Sequence, residues 1–576
     1  MTNMKAIIAG FSTLAMVVVL GGCSRTQSIK EDGFRTYCNP MNLSYRFCLD
    51  EPSRREAADP SMVLFKDEYY LFASRSGGYF HSSDLINWDL IQTADLPIEN
   101  YAPTAVVIGD EIYFLTSGDT RIYKTADPKS GKWQVAKENF SIPDTDPMLF
   151  LDDDGRLYYY YGCSNRNPIK AVELDRNSFN PVGEPAPCIF GHADEYGWER
   201  AGDYNDGEKL PWIEGSWMNK YNGKYYLQYA TPGTEFKSYA DAVYVSEQPL
   251  GPFTLAKVNP FACKPEGFAN GAGHGSTFQD KYGNYWHIGT VTISVKHMFE
   301  RRLSLFPVFF DPEGEMLACT TFGDYPFIVP DRAVTDVHTL SAGWMLLSYN
   351  KPVVVSSALA DHPSQNAVNE DIRTCWSAET GNPGEFIAVD LGEPSVVHAV
   401  QINFAEQNTT LQGRNDLIRH QYLLEYSDDG EKWKTLIDKS ENTIDAPHDY
   451  IHPVTPVKTR FIRLTNVKVP DGTLAVSGLR VFGTCDKQPA QAVSTLHAER
   501  LEDRRVIELQ WEKSSGATGY NIRFGTRPDR LYQNYQVYGQ NKLTIRSLHT
   551  GEPYFLAIDA FNENGVTAGQ TIINIK

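Results

Sequence analysis

Short apolar runs punctuated by turn residues dominate the first 330 positions of the chain. "ADPSMVLFKDEYYLFAS" from Ala57, "YAPTAVVIGDEIYFLTSG" from Tyr101, "DPMLFLDDDGRLYYYYG" from Asp146, "EGSWMNKYNGKYYLQYA" from Glu214 and "GHGSTFQDKYGNYWHIG" from Gly273 follow one plan. Each has a polar or turn-forming start, a short apolar strand, a hairpin turn and an aromatic second strand. The turns are Lys66-Asp67-Glu68, Gly109-Asp110-Glu111, Asp154-Gly155, Asn222-Gly223 and Tyr282-Gly283-Asn284; Asp-Gly and Asn-Gly are the strongest short hairpin signals. With Asp59, Ala102, Asp146, Glu214 and His274 as register marks, the plan recurs at intervals of 43, 44, 68 and 60 residues. Multi-stranded repeats of that length predict an all-β fold built on a five-bladed propeller.

In a propeller the first strand of each blade lines the central channel, so Asp59, Asp146, Glu214 and His274 are expected to converge at one end of the axis. Like charges crowded into a partly desolvated site raise free energy, so three carboxylates in register point to function rather than to three incidental turns. Glu214 stands between Trp212 and Trp217, a neighbourhood suited to a poorly hydrated acid. The stretch Gly191–Gly215 accounts for the long third interval and is expected to help cover the site, because long connections near a site are usually functional.

The blade pattern stops after "FGDYPFIVPD". Alternating strands in "GEFIAVDLGE", "YLLEYSDDGEKWKTL" and "RFIRLTNV" predict a β-sandwich over 343–485, with Trp376 and Trp433 in its core. A further strand-rich segment, 489–576, carries Trp511, Tyr520 and Tyr554 at sandwich-core spacing.

At the N-terminus, Lys5 precedes an apolar run, Ala6 to Leu20, too short to span a bilayer and followed by Gly21, Gly22 and Cys23. "LGGC" resembles a bacterial lipobox, which implies a signal peptide over 1–22, a lipid-modified Cys23, a tether over 23–37 and a place in the bacterial cell envelope. The other eight of the nine cysteines permit disulfides but show no CxxC spacing, which argues against zinc. With 53 Lys+Arg against 72 Asp+Glu and a net charge of −19, the 576-residue chain has no basic groove for nucleic acid. Tyrosine and tryptophan, 32 and 10 in number, supply the flat amphipathic surfaces that sugar clefts use.

"ADPSMVLFKDEYYLF", "DTDPMLFLDDDGRLYYYYG" and "IEGSWMNKYNGKYYLQYA" resemble, in order, the three acidic motifs of glycoside hydrolase family 43, over roughly 38–330. The resemblance implies an inverting glycosidase with Asp59 as general base, Asp146 as modulator and orienter of the acid, and Glu214 as general acid. Such chemistry needs one carboxyl held protonated and one ionised, roughly 6.5 to 9.5 Å apart, in environments that push their pKa values apart. By the same resemblance Tyr101 and Trp217 are expected to contact substrate, as is one of Arg301 and Arg302, between which the sequence does not choose. His274 matches a histidine that in relatives faces an axial calcium reached through water; no other cofactor is required. Segment 343–485 resembles a discoidin-like, factor V/VIII C-type domain, akin to carbohydrate-binding module family 32. Asn369 and Glu370 there replace the usual Asp-Gly of its calcium loop. Segment 489–576 resembles a fibronectin type III domain, a spacer or partner-contact module.

The expected activity is release of terminal α-L-arabinofuranosyl or β-D-xylosyl units from plant polysaccharide by a monomeric, lipid-anchored enzyme. The alternatives are a β-galactofuranosidase, galactosidase or arabinanase of the same family, and a non-catalytic glycan-binding protein. A retaining fructan or sucrose hydrolase on a related scaffold fits poorly, because Thr145 precedes Asp146 and Gly215 follows Glu214 where that class carries Arg-Asp-Pro and Glu-Cys.

Overall fold

The computed structural model of the protein describes residues 34–143, 145–453 and 455–575; Cys23 and the predicted signal peptide lie outside the described residues. Five antiparallel four-stranded sheets follow one another along the chain. Their first strands are Ser61–Phe65, Thr104–Ile108, Met148–Leu151, Glu214–Tyr221 and Gly273–Gln279. Each lies against the first strand of the next sheet, and the fifth returns to the first. Hydroxyls two residues after Asp59, Ala102 and His274 stitch the ring. Ser61 Oγ accepts the Ala105 N–H at 3.0 Å, Thr104 Oγ1 that of Leu149 at 3.4 Å, and Ser276 Oγ that of Met62 at 3.2 Å. Aromatic residues of the second strands, among them Tyr69, Phe72, Tyr158, Tyr229 and Trp286, are fully buried between blades.

One end of the axis is conformationally unusual. Asp59, Ala102, Asp146 and His274 adopt left-handed φ values of 52, 48, 47 and 43°, and in the fourth blade the corresponding residue is Gly215, at 60°. Left-handed residues other than glycine cost of order 1–3 kcal/mol each and gather where a site requires them. The fourth register mark is thereby corrected. Gly215, not Glu214, is the counterpart of Asp59, because a Cβ at 215 would stand 2.7 Å from the His274 ring. Glu214 reaches the site from one residue earlier. Hydroxyls of the preceding blade hold the strained backbone, with Thr290, Ser74 and Ser117 accepting the N–H groups of Asp59, Ala102 and Asp146 at 3.2, 2.8 and 2.9 Å.

After the propeller, a nine-stranded sheet that includes the long strand Phe386–Phe404 encloses a core containing Trp376. Trp433 is not in that core; it lies half-buried beneath the Arg463 guanidinium, 4.0 Å from its ring centroid. In the last domain a three-stranded sheet faces a five-stranded one over Trp511, Tyr520 and Tyr554.

Buried ion pairs join these parts. Arg480 of the sandwich pairs with its own Glu370 at 2.9 Å and donates to the propeller's Asp324 carbonyl at 2.6 Å. Glu370 is thus committed to Arg480 rather than to a calcium loop. Arg302 is corrected here as well. It is fully buried, donates to His448 Nε2 at 3.0 Å and pairs with Glu406 at 3.3 Å, so it fastens the sandwich and does not face the site. The strap Gly191–Gly215 also departs from its expected role. Its first part docks the last domain: Gly197 N–H donates to Leu548 O at 2.9 Å, and Tyr196 stacks between Trp198 and His549. The eight described cysteines are all unpaired, so the disulfides their number permits are not formed.

Candidate active site

The left-handed starts bring Asp59, Asp146 and His274 together, with Glu214 beside them. Asp59 Oδ2 accepts from Ser74 Oγ at 2.5 Å, and Oδ1 lies 3.1 Å from Arg301 and 3.4 Å from His274 Nδ1. Burial works against ionisation of Asp59, but Arg301, His274 and the Ser74 hydroxyl outweigh it and hold the carboxyl below its ordinary value. Arg301 also pairs with fully buried Glu56 at 2.7 Å and donates to Thr234 Oγ1 at 3.0 Å. Its guanidinium lies over Phe299 and Tyr101, and Tyr101 accepts from Arg75 at 2.8 Å, which puts this aromatic pair on the rim above Asp59.

Asp146 is the electrostatic opposite. Burial raises it, the charges of Glu214 and Asp59 add to this, and His274 with the Gly215 N–H opposes; the carboxyl is pushed up to about 7. Its Oδ2 accepts that Gly215 N–H at 3.2 Å. Glu214 is held on both oxygens, by Tyr239 OH at 2.6 Å and by the Cys163 thiol at 3.0 Å. Burial disfavours a charged His274, yet Asp59, Asp146, Glu214 and Asp241 together raise its pKa. One end of the channel therefore holds Asp59, kept ionised by an arginine, and Asp146, whose carboxyl is pushed up to about 7.

Trp217, expected to contact substrate, has another role. Its indole N–H donates to Thr277 O at 3.0 Å and its ring packs against the core between the third and fourth blades. His274 Nδ1 lies 3.4 Å from Asp59 and 3.7 Å from Asp146. Among the described residues, the one group of three close ligand atoms joins Asp146, Cys163 and Glu214, and a thiol is a poor calcium ligand. No step below is routed through calcium. Tyr239, Cys163, Glu56 and Phe299 were not anticipated. Ser74, Ser117 and Thr290 had a readable signal, a hydroxyl closing the aromatic second strand in "YYLFAS", "IYFLTS" and "YWHIGT".

A propeller thus gathers Asp59, Asp146, Glu214 and His274 at one end of its axis. Residues 53–316 match the model of glycosyl hydrolases family 43, and 352–477 match the F5/8 type C domain. The chain thus carries a family 43 glycosyl hydrolase domain followed by a discoidin-like one. Curated relatives include a "Beta-xylosidase" of Xylanibacter ruminicola, 32% identical over 151 residues, covering 23% of this chain and 43% of that protein. A "Beta-D-galactofuranosidase xynD" of Aspergillus niger is 25% identical, covering 34% and 63%. A "Xylosidase/arabinosidase" of Butyrivibrio fibrisolvens is 29% identical, covering 31% and 38%. The chain spans less than two thirds of the length of each of these relatives.

The two shifted carboxyls set the sign of the pH dependence. Asp59 is held below its ordinary value, so a rate that needs it ionised is expected to keep its acid limb below the usual aspartate range. Asp146, at about 7, gives up its proton as pH rises through that value, and a rate that depends on that proton is expected to fall there. kcat/KM on an aryl glycoside is expected to decline as pH rises through about 7. Arg301→Ala removes the cation that holds Asp59 low, so its acid limb should move upward. It also removes the 2.7 Å partner of buried Glu56, leaving Arg54 at 3.9 Å and the Cys48 thiol, so a lowered Tm is expected. An unmoved acid limb would show that Arg301 does not hold the base ionised.

Proposed function

We propose that the protein is an inverting exo-glycosidase that removes terminal α-L-arabinofuranosyl or β-D-xylosyl units from plant polysaccharide. The observation that carries this reading is the opposed electrostatics of Asp59 and the Asp146–Glu214 pair. Asp59, ionised against Arg301 and Ser74, takes a proton from water as that water attacks the anomeric carbon. Glu214, aimed by Tyr239 and Cys163, protonates the departing glycosidic oxygen. Asp146 keeps a proton beside Glu214 and, through the Gly215 N–H, fixes the turn that carries it. Water attack on the face opposite the leaving group inverts the anomeric centre. Tyr101 and Phe299 offer an apolar wall for the sugar ring.

The names of the curated relatives support a pentose as the glycone. The test is a panel of p-nitrophenyl α-L-arabinofuranoside, β-D-xyloside, β-D-galactofuranoside and β-D-galactoside, offered to the chain lacking residues 1–23. Preference for one of the pentosides is the expected result. Preference for the galactofuranoside would move the substrate to the reading the Aspergillus niger relative suggests, and no turnover on glycosides or polymer would leave a glycan-binding protein. "LGGC" supports a lipid anchor at Cys23 and a place in the bacterial envelope, and the three-plus-five strand sandwich supports a fibronectin type III reading of the last domain. A monomer completes the proposal.

A further inference from the structure

Behind His274 the fourth blade carries a carboxyl that the mechanism above does not use. Asp241, in the strand Ala240–Ser246, is fully buried. Glu214 pairs with Ala230 and Ala230 with Asp241, so the first and third strands of this blade present their carboxyls in one row on the same face of the sheet. The backbone of Asp241 is pinned as well: its N–H donates to Ala262 O at 2.9 Å and its carbonyl accepts from Phe261 at 3.0 Å.

From this fixed strand the side chain reaches the fifth blade. Oδ2 accepts the Gly275 N–H at 2.9 Å and the Gln228 amide at 3.1 Å, with the His274 N–H beside it. Gln228 also donates to Gly275 O at 2.8 Å, so the residue after His274 is gripped at both its N–H and its carbonyl. Gly275 itself is close-packed, since a Cβ there would stand 2.3 Å from the Ile288 carbonyl and 2.4 Å from the His287 ring. Thr277 donates to Gln228 at 2.9 Å and lies 3.2 Å from His287 Nδ1, which completes a polar cluster between the two blades.

A buried carboxyl is costly, and this one leaves Oδ1 without a partner. What it supplies is direction. His274 has a left-handed φ of 43°, and its imidazole stands 3.4 Å from Asp59 and 3.7 Å from Asp146. Such backbone persists only where its surroundings over-determine it. The titratable groups facing Asp241 are His274, Glu214, Tyr239 and, at 3.6 Å, His287. Burial pushes the Asp241 carboxyl up to about 8 against the Gly275 and His274 N–H groups, which makes asparagine its closest mimic.

We propose that Asp241 is a positioning residue of the active site, which grips the Gly275 amide and thereby holds the His274 imidazole between Asp59 and Asp146. The inference rests on the glycosidase reading, and Asp241 itself touches no reacting atom.

The experiment compares Asp241→Asn, which keeps an acceptor oxygen for the Gly275 N–H, with Asp241→Leu, which keeps the approximate volume without one. On the preferred p-nitrophenyl glycoside the asparagine variant is expected within about threefold of the wild-type kcat, and the leucine variant to lose at least about tenfold in kcat while KM moves less than about twofold. Melts are recorded for both, and if Asp241→Leu does not fold, Asp241→Ser, whose hydroxyl stops one bond short of Oδ2, takes its place. A second arm follows the His274 ring signals by NMR in protein carrying isotope-labelled histidine, assigned with His274→Gln. They should stay at their wild-type shifts in Asp241→Asn and be displaced in Asp241→Leu. A folded leucine variant with wild-type kcat or unmoved His274 signals, or an asparagine variant as impaired as the leucine one, would overturn the proposal. If wild type cleaves no glycoside, the glycosidase reading fails by itself, and the His274 signals still decide whether Asp241 holds the ring.

Discussion

Glu214→Gln is expected to lower kcat on an oligosaccharide by about a thousandfold or more, near 4 kcal/mol of transition-state stabilisation. Glutamine keeps the shape of the side chain and an oxygen for Tyr239 OH, which in the native protein donates to Glu214 Oε1 at 2.6 Å, but it has no proton to give. The size of the loss should depend on the leaving group. A sugar alkoxide leaves poorly without a proton, whereas p-nitrophenolate leaves well, so the loss on the aryl glycoside should be smaller by at least about tenfold. Equal losses on both substrates would remove Glu214 from the role of acid.

Asp59→Asn should cost about a thousandfold or more on every substrate, because activation of water precedes any difference among leaving groups. The fold should survive, since Arg301 retains Glu56 at 2.7 Å and Thr234 at 3.0 Å. A melt close to wild type, together with a uniform loss of kcat, is the predicted pair of observations. A loss of only a few fold would reduce Asp59 to a carboxylate that fills a left-handed strand start, where aspartate is among the better-tolerated residues.

The contrast between these two variants shows what could be read from the chain alone. Asp59, Asp146 and His274 were legible because a propeller repeats its channel strand, and identical backbone geometry puts identical register positions at the axis. Glu214 was found with its position misread by one, because the fourth blade spends its left-handed residue on Gly215 beneath His274. Arg301 and Arg302 could not be told apart by pattern. Both faces of their strand are buried, one by the site and one by the discoidin-like domain, so no polar alternation marks the difference. Tyr239 and Cys163 come from segments of the third and fourth blades outside the repeated motif, and their partnership with Glu214 exists only in three dimensions. The strap Gly191–Gly215 was rightly singled out by length, yet length does not say what a segment covers. Its Tyr196 and Trp198 join His549 of the last domain, and its Asp203 pairs with Arg373 of the discoidin-like domain.

The central claim is that Asp59 activates water rather than forming a bond to the sugar. Proton NMR of the anomeric signals during the first minutes of hydrolysis of the preferred aryl glycoside tests it most directly. The account predicts that the first free sugar appears with the anomeric configuration opposite to that of the substrate, before mutarotation mixes the two. First appearance of the retained anomer would contradict it, and would assign Asp59 or its partner to a covalent intermediate instead.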